Sequence, residues 1–130
     1  MTLEPINPPT LAGPRGYSHG IKGTGSVLFV SGQIGWDASS RLVSDDFVGQ
    51  FAQALDNVLA VVRAAGAEPA QIGRLTIYVV DKAEYASRTR DVGVAYRERM
   101  GRHFPAMTLV EVRSLLEPGA RVEIEATALL

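Results

Sequence analysis

The chain has no cysteine. That excludes a disulfide framework, a thiolate metal site and a cysteine nucleophile, and it fits a cytoplasmic protein. Histidine is scarce: His19 and His103 lie far apart, each beside a strand or helix end. Either is open to reading as a general base or as a plain surface histidine. No His-Glu-x-x-His pair, phosphate-binding loop or dinucleotide fingerprint occurs, so neither metal nor cofactor is expected. The glycines of Gly20-x-x-Gly23-x-Gly25 form a turn between strands, with no helix following to hold a phosphate. Charge of one sign is missing too. Thirteen basic and 14 acidic residues leave a net charge of −1, without the footprint of a nucleic-acid or anionic-membrane partner. No apolar run approaches the roughly 20 residues of a membrane span. The N-terminal stretch is polar and Pro-rich rather than basic-then-apolar, so no signal peptide is expected.

What is present is enough for one core. The 130 residues read as one α+β domain over residues 1–130, with residues 1–14, which hold four of the seven prolines, as an extended lead-in. A short strand is expected over about Tyr17–Lys22 and a strongly apolar one over Val27–Ser31, paired as a hairpin about Gly23-Thr24-Gly25. Trp36–Val43 is a loop or a short extra strand. Ser44 or Asp45 can cap a helix running to about Ala65, with Asp46 in its first turn. Phe47, Phe51, Leu55, Val58, Leu59 and Val62 give that helix one apolar stripe, which leaves Asp56 and Asn57 in solvent. Ile72–Val80 is β-branched and reads as a strand. A second helix is expected over about Lys82–Met100, weakened at Gly93 by roughly 1 kcal/mol relative to alanine. Gly101 and Pro105 end it.

The last quarter carries the pattern of most consequence. Met107–Ser114 and Arg121–Leu129 alternate as strands about the Pro118-Gly119 turn. In the second, Val122, Ile124, Ala126 and Ala128 face one way, and Arg121, Glu123, Glu125 and Thr127 the other. In the first, Thr108, Val110 and Val112 share one face and Met107, Leu109, Glu111 and Arg113 the opposite one. The carboxylates of Glu-x-Glu face either bulk water or a cleft, and alternation alone does not separate the two. Two helices cover only one face of a mixed sheet. The other is expected to carry Met107, Leu109 and Phe29, a patch that calls for a homo-oligomer whose open faces meet.

Ser31-Gly32-Gln33 ends the apolar strand, where the missing side chain of Gly32 lets backbone approach a ligand, or marks a bulge with no function. Ser31 has no evident base partner, which argues against a nucleophile. A carboxylate, a tyrosine, a serine and glycine-flanked backbone suit positioning a water or polarising a polar substrate.

Five segments in order, Tyr17-Ser18-His19-Gly20, Val30-Ser31-Gly32-Gln33-Ile34, Leu55-Asp56-Asn57-Val58, Phe104-Pro105-Ala106 and Val122-Glu123-Ile124-Glu125-Ala126, resemble the Rid family, also called YjgF-type proteins or reactive intermediate deaminases. The resemblance covers about residues 14–129. It implies a chorismate-mutase-like fold with two helices on one face of a mixed sheet, and a homotrimeric barrel with ligand clefts between subunits. It implies cofactor-independent hydrolysis of imines and enamines to a keto acid and ammonia. By resemblance Glu123 is the water-orienting catalytic glutamate, with Tyr17 and Ser31 beside it. Gly32, Gln33, Phe104, Met107 and Leu109 are the expected substrate-binding residues. The sequence departs from the family pattern in four places. Met107 stands where deaminating members carry the arginine that holds the substrate carboxylate, and Leu109 stands where they carry a cysteine. Gly93 stands where they carry a helix asparagine, and the loop before Phe104 is shorter. Methionine cannot make the bidentate charged pair. The expectation is therefore a deaminase of altered substrate range, acting on a substrate that lacks the usual carboxylate or holding it with another arginine such as Arg15, Arg102 or Arg113. The alternatives are a non-catalytic metabolite-binding or regulatory trimer and, against the charge balance, a ribonuclease.

Overall fold

Hydrophobic spacing decides which face of each element turns inward. In the computed structural model, which describes residues 3–130, the chain runs β1 (Glu4–Ile6), β2 (Gly20–Lys22), β3 (Val27–Ile34), α1 (Phe47–Ala64), β4 (Ile72–Val79), α2 (Lys82–Ala86), α3 (Thr89–Met100), β5 (Ala106–Glu111) and β6 (Val122–Leu129). Strands β3-β6-β4-β5, in that spatial order, form a mixed sheet; β4 and β5 are parallel and the other pairs antiparallel. The alternation of β6 is realised as read. Val122, Ile124, Ala126 and Ala128 are buried with Leu75, Ile77 and Val79 of β4, in one cluster with Phe51, Leu55, Val58 and Val62 of α1 and Val92 and Tyr96 of α3. Each fully buried valine, leucine, isoleucine or phenylalanine among them contributes about 1.5–3 kcal/mol.

Both expected hairpins are replaced by longer-range pairings. β2 pairs with β1, Pro5 opposite Ile21, in a separate two-stranded sheet, so part of the lead-in is strand. Residues 1 and 2 of that lead-in lie outside the described residues. β3 pairs instead with β6. β5 and β6 are not neighbours, because β4 lies between them. A turn signal marks where the chain reverses but not what it pairs with, and the wider burial of a central β6 decides the order.

The second helix is broken in two at Ser87–Arg88. The Ser87 hydroxyl donates to the Glu84 carbonyl at 3.1 Å, and Arg88 is held by Asp46 and Asp91 at 2.8 and 3.2 Å. The described residues thus hold three α-helices rather than two. The N-cap of α1 is Asp46, one or two residues later than expected; its carboxylate accepts from Gly49 N–H. A hydrogen bond from Arg88 holds its carboxyl below the usual range.

The open sheet face also differs from expectation. Met107 and Leu109 lie opposite Leu75 and Ile77 and pack against the core under the helices. Their partners Thr108 and Val110 face outward with Thr76 and Tyr78. Phe29 remains on the open face, 79% exposed, with Val27 beside it. No helix among the described residues is long and apolar enough to cross a membrane.

Candidate active site

At the β3–β6 end a bulge interrupts the ladder between Val30 and Gln33. The bulge brings Gly32 over Glu123: a Cβ at residue 32 would lie 2.7 Å from Glu123 Oε2 and 2.9 Å from Cδ. Only glycine fits without moving the carboxylate, so the bulge and the close approach are one feature. Gln33 Nε2 donates to the Ser31 carbonyl at 3.2 Å. Glu123 lies opposite Tyr78 on β4, and the Tyr78 hydroxyl donates to Glu125. That hydrogen bond, aided by desolvation and the neighbouring negative charges, raises the Tyr78 phenol above its usual value.

Two residues of α1 hold this end in place. Asn57 is half-buried rather than solvated. Its Nδ2 donates to the carbonyls of Ile34 and Trp36 at 3.0 and 2.9 Å, and its Oδ1 accepts from Gln53 at 2.9 Å. Gln50 is fully buried. Its Nε2 donates to the carbonyls of Ser44 and Gly119 at 2.9 and 3.0 Å, and its Oε1 accepts from Arg121 N–H at 2.7 Å. It satisfies backbone groups where the chain enters β6, two residues before Glu123. A Cβ at residue 35 would lie 2.6 Å from the Gln50 Cα, so Gly35 permits that approach.

The other expected residues gather at the far edge of the sheet. Ser18 stitches the segment after the lead-in to the start of β5: its N–H donates to the Pro105 carbonyl at 3.1 Å and its hydroxyl to the Phe104 carbonyl at 2.5 Å. This sets Tyr17 beside Met107, with its ring edge-on to His19 at 5.3 Å. Phe104 stacks on Tyr96 at 5.6 Å, the rings 9° from parallel. The Tyr96 hydroxyl donates to the His103 carbonyl at 2.6 Å, and burial pushes its phenol up. His103 lies within 2.7 Å of the Ile72 carbonyl and His19 within 2.7 Å of the Ala12 carbonyl. Both imidazoles have structural partners, which weighs against a general base.

Two adjoining clefts of about 200 Å³ each share Met107, Ile77 and Tyr85. One also holds Arg15, Tyr17 and Leu109; the other holds Phe104, Gly93 and Arg97. Of the alternative arginines, Arg15 thus reaches the cleft beside Met107. Arg102 lines a different cavity with Asn7, Tyr17 and Phe104.

Tyr17, Phe104, Met107 and Leu109 are therefore brought together, and so are Gly32 and Glu123. The two groups do not meet within one chain. Met107 and Leu109 point under the helices from edge strand β5, Glu123 points to the open face from β6, and β4 lies between. Neither Ser31 nor Glu123 lines a cleft that Met107 lines. Among the described residues no three histidines or carboxylates are grouped as metal ligands. Asn57 and Gln50 were missed as positioning residues. Asn57 lies inside a quoted family segment, whereas nothing in helical spacing marks Gln50 as buried.

The family model described as endoribonuclease L-PSP matches residues 9–130. The chain is 35% identical over 130 residues to a 2-iminobutanoate/2-iminopropanoate deaminase of Salmonella typhimurium, covering 98% of this chain and 95% of that protein. It is 37% identical over 128 residues to the RutC family protein y4sK of Sinorhizobium fredii, covering 95% of each. Among solved structures it is similar to the Rid family protein YyfB of Yersinia pestis, a protein of unknown function, with a TM-score of 0.86, 36% identity and full coverage of both chains. It is also similar to E. coli TdcF with bound serine, with a TM-score of 0.71, 28% identity and coverage of 100% and 98%.

Proposed function

The chain belongs to the endoribonuclease L-PSP family, the Rid or YjgF-type proteins, and we propose that it is a hydrolytic deaminase of reactive imines or enamines with an altered substrate range, working from a homotrimer with its clefts between subunits. The observation that carries this reading is the separation of the two residue groups. Glu123 with Gly32 lies on the open face, and Tyr17 with Met107 lies at the β5 edge under the helices. A second copy docked on the open face through Phe29, Val27 and Val110 supplies one group to the other and covers the apolar patch. Relatives named as 2-iminobutanoate/2-iminopropanoate deaminases support the reaction class, and a serine-bound neighbour supports a small ligand.

The chemistry asks little of the protein. Water adds to the imine carbon as Glu123 accepts one of its protons; Glu123 returns that proton to the nitrogen, and the C–N bond breaks to release ammonia as the hydroxyl left on carbon gives up its proton and the C=O bond forms. Hydrogen-bond reach and an ionised carboxylate suffice for the proton transfer. Gly32, pressed against Glu123, restricts where the carboxylate swings. Tyr17 and Ser31 supply hydroxyls for orienting water or substrate nitrogen. Met107 in place of an arginine supports altered substrate range, since a thioether cannot neutralise a carboxylate.

The test is Glu123→Gln, assayed on a generated imine with keto acid and ammonia both followed. The amide holds the geometry but takes no proton, so turnover should fall at least about a hundredfold. Undiminished turnover removes the mechanism. Sedimentation equilibrium at micromolar concentration should give three times the chain mass, and a stable monomer removes the shared cleft. With a net charge of −1, no salt-sensitive binding to single-stranded RNA is expected.

A further inference from the structure

Gly93 lies inside α3, where glycine is the least favourable residue short of proline. The structure gives it a use. A Cβ at residue 93 would lie 3.1 Å from Arg97 Nη1 and 3.7 Å from its Cζ and Nη2. Residues four apart share one helix face, so the Arg97 guanidinium occupies the space a side chain at 93 would take. Both residues line the cleft that Met107 lines, whose walls include Phe51, Ile77 and Val92. Arg88 and Arg99, at either end of the same helix, are tied to Asp46 and Asp56 at 2.8 and 2.7 Å. Among the described residues Arg97 has no carboxylate partner. A cation thus stands over a largely apolar cavity with no anion of the protein to answer it.

We propose that Arg97 is the specificity-determining cation of this cleft, binding the carboxylate of a substrate whose hydrocarbon body fills the cavity beside Met107. The inference rests on the deaminase reading in that the cleft is the same one. It deepens that reading by moving the charge from β5 to α3. Met107 then supplies apolar contact and Arg97 the anion contact, through a guanidinium fork suited to a carboxylate. The cleft's 200 Å³ exceeds the share of several waters, each about 30 Å³, so a branched or aromatic side chain fits it better than a methyl group. Arg15 is the rival cation, since it flanks Met107 in the adjoining cleft.

The test measures binding by calorimetry on the assembled wild-type protein, with two probes: the keto acid corresponding to leucine, and the methyl ketone of the same carbon skeleton. Arg97→Gln should weaken keto-acid binding about tenfold, a contact on an exposed side chain being worth less than a buried one, and leave the ketone unaffected. Arg97→Lys should retain part of the preference. Gly93→Asn should act in the same direction as Arg97→Gln by displacing the guanidinium. Four results overturn the proposal: no keto-acid binding by the wild type, unchanged binding in Arg97→Gln, a loss that falls on Arg15→Gln instead, or equal losses for acid and ketone. Because calorimetry involves no turnover, a parallel imine assay lets the two readings fail separately. A protein that hydrolyses no imine but shows this pattern loses the deaminase reading and keeps Arg97. One that hydrolyses the leucine-derived imine with unchanged KM in Arg97→Gln keeps the deaminase reading and loses Arg97.

Discussion

The β3–β6 end and the β5 edge of this molecule are built on opposite principles. Around Glu123 two side chains of α1 are tied to the backbone and two glycines are closely covered: Gln50 makes three hydrogen bonds from full burial, Asn57 ties two carbonyls, and Gly32 and Gly35 leave no room for a side chain. Around Met107 the walls are apolar side chains, the cations Arg15 and Arg97 project into clefts, and the flexible thioether lies between. On the proposed mechanism this contrast has a use: a group that positions water needs an over-determined backbone, whereas a pocket that sets substrate range is free to change its lining. Three of the positions expected to depart from the family pattern, Met107, Leu109 and Gly93, fall at the second end.

The largest stability effect should come from Gln50→Leu. It strips partners from two carbonyls and one N–H in a buried site, each left unsatisfied at about 1–3 kcal/mol, so a loss of about 3 kcal/mol or more is expected. Urea denaturation reads it as a lower midpoint at unchanged slope. A loss under about 1 kcal/mol would mean that water replaces the amide and that this end is less rigid than its geometry suggests.

Gly32→Val should come next. A branched side chain collides with the Glu123 carboxylate, so either the bulge or Glu123 moves. Imine turnover and trimer stability should fall together, and wild-type values for both would return Gly32 to a plain bulge. Asn57→Ala should cost about 1–3 kcal/mol by freeing two carbonyls, again measured in urea.

At the β5 edge the effects should be small. Met107→Leu nearly conserves volume and should cost less than about 1.5 kcal/mol, with a shift in substrate preference larger than the shift in stability. A loss matching that of Gln50→Leu would erase the contrast between the two ends.

The smallest effect is a titration. The Glu125 hydrogen bond raises the Tyr78 phenol above its usual value of 10.0. A group raised on folding contributes stability that is present below its unfolded value and lost as pH climbs through the folded one. Phenolate absorbance should therefore show two tyrosines titrating late, Tyr78 and the buried Tyr96, and Glu125→Gln should bring only Tyr78 back toward the others. No change on that substitution would show that the contact does not hold in solution.

Much of the secondary structure was legible because it depends on local period. The stripe from Phe47 to Val62 and the alternation from Val122 to Ala128 each follow from one element being half buried, and that needs no knowledge of a partner. Glu123 and Gly32 were legible as candidates through the family segments that contain them. Their closeness was not, because it depends on β3 pairing with β6 across about ninety residues of chain. The break at Ser87–Arg88 was equally hidden, since Arg88 reaches back to Asp46 on another helix.

Taken by itself, the sequence determined the alternating strands, the apolar stripe of α1, the family and the absence of an arginine at 107. These are properties of residue type and near-neighbour spacing, which the chain carries whether folded or not. Only the tertiary structure decided the strand order β3-β6-β4-β5, the burial of Gln50 and Asn57, and the turn of Met107 and Leu109 under the helices. Each of these depends on which distant segments exclude water from one another, and that choice is made by the whole core at once rather than by any one stretch of it.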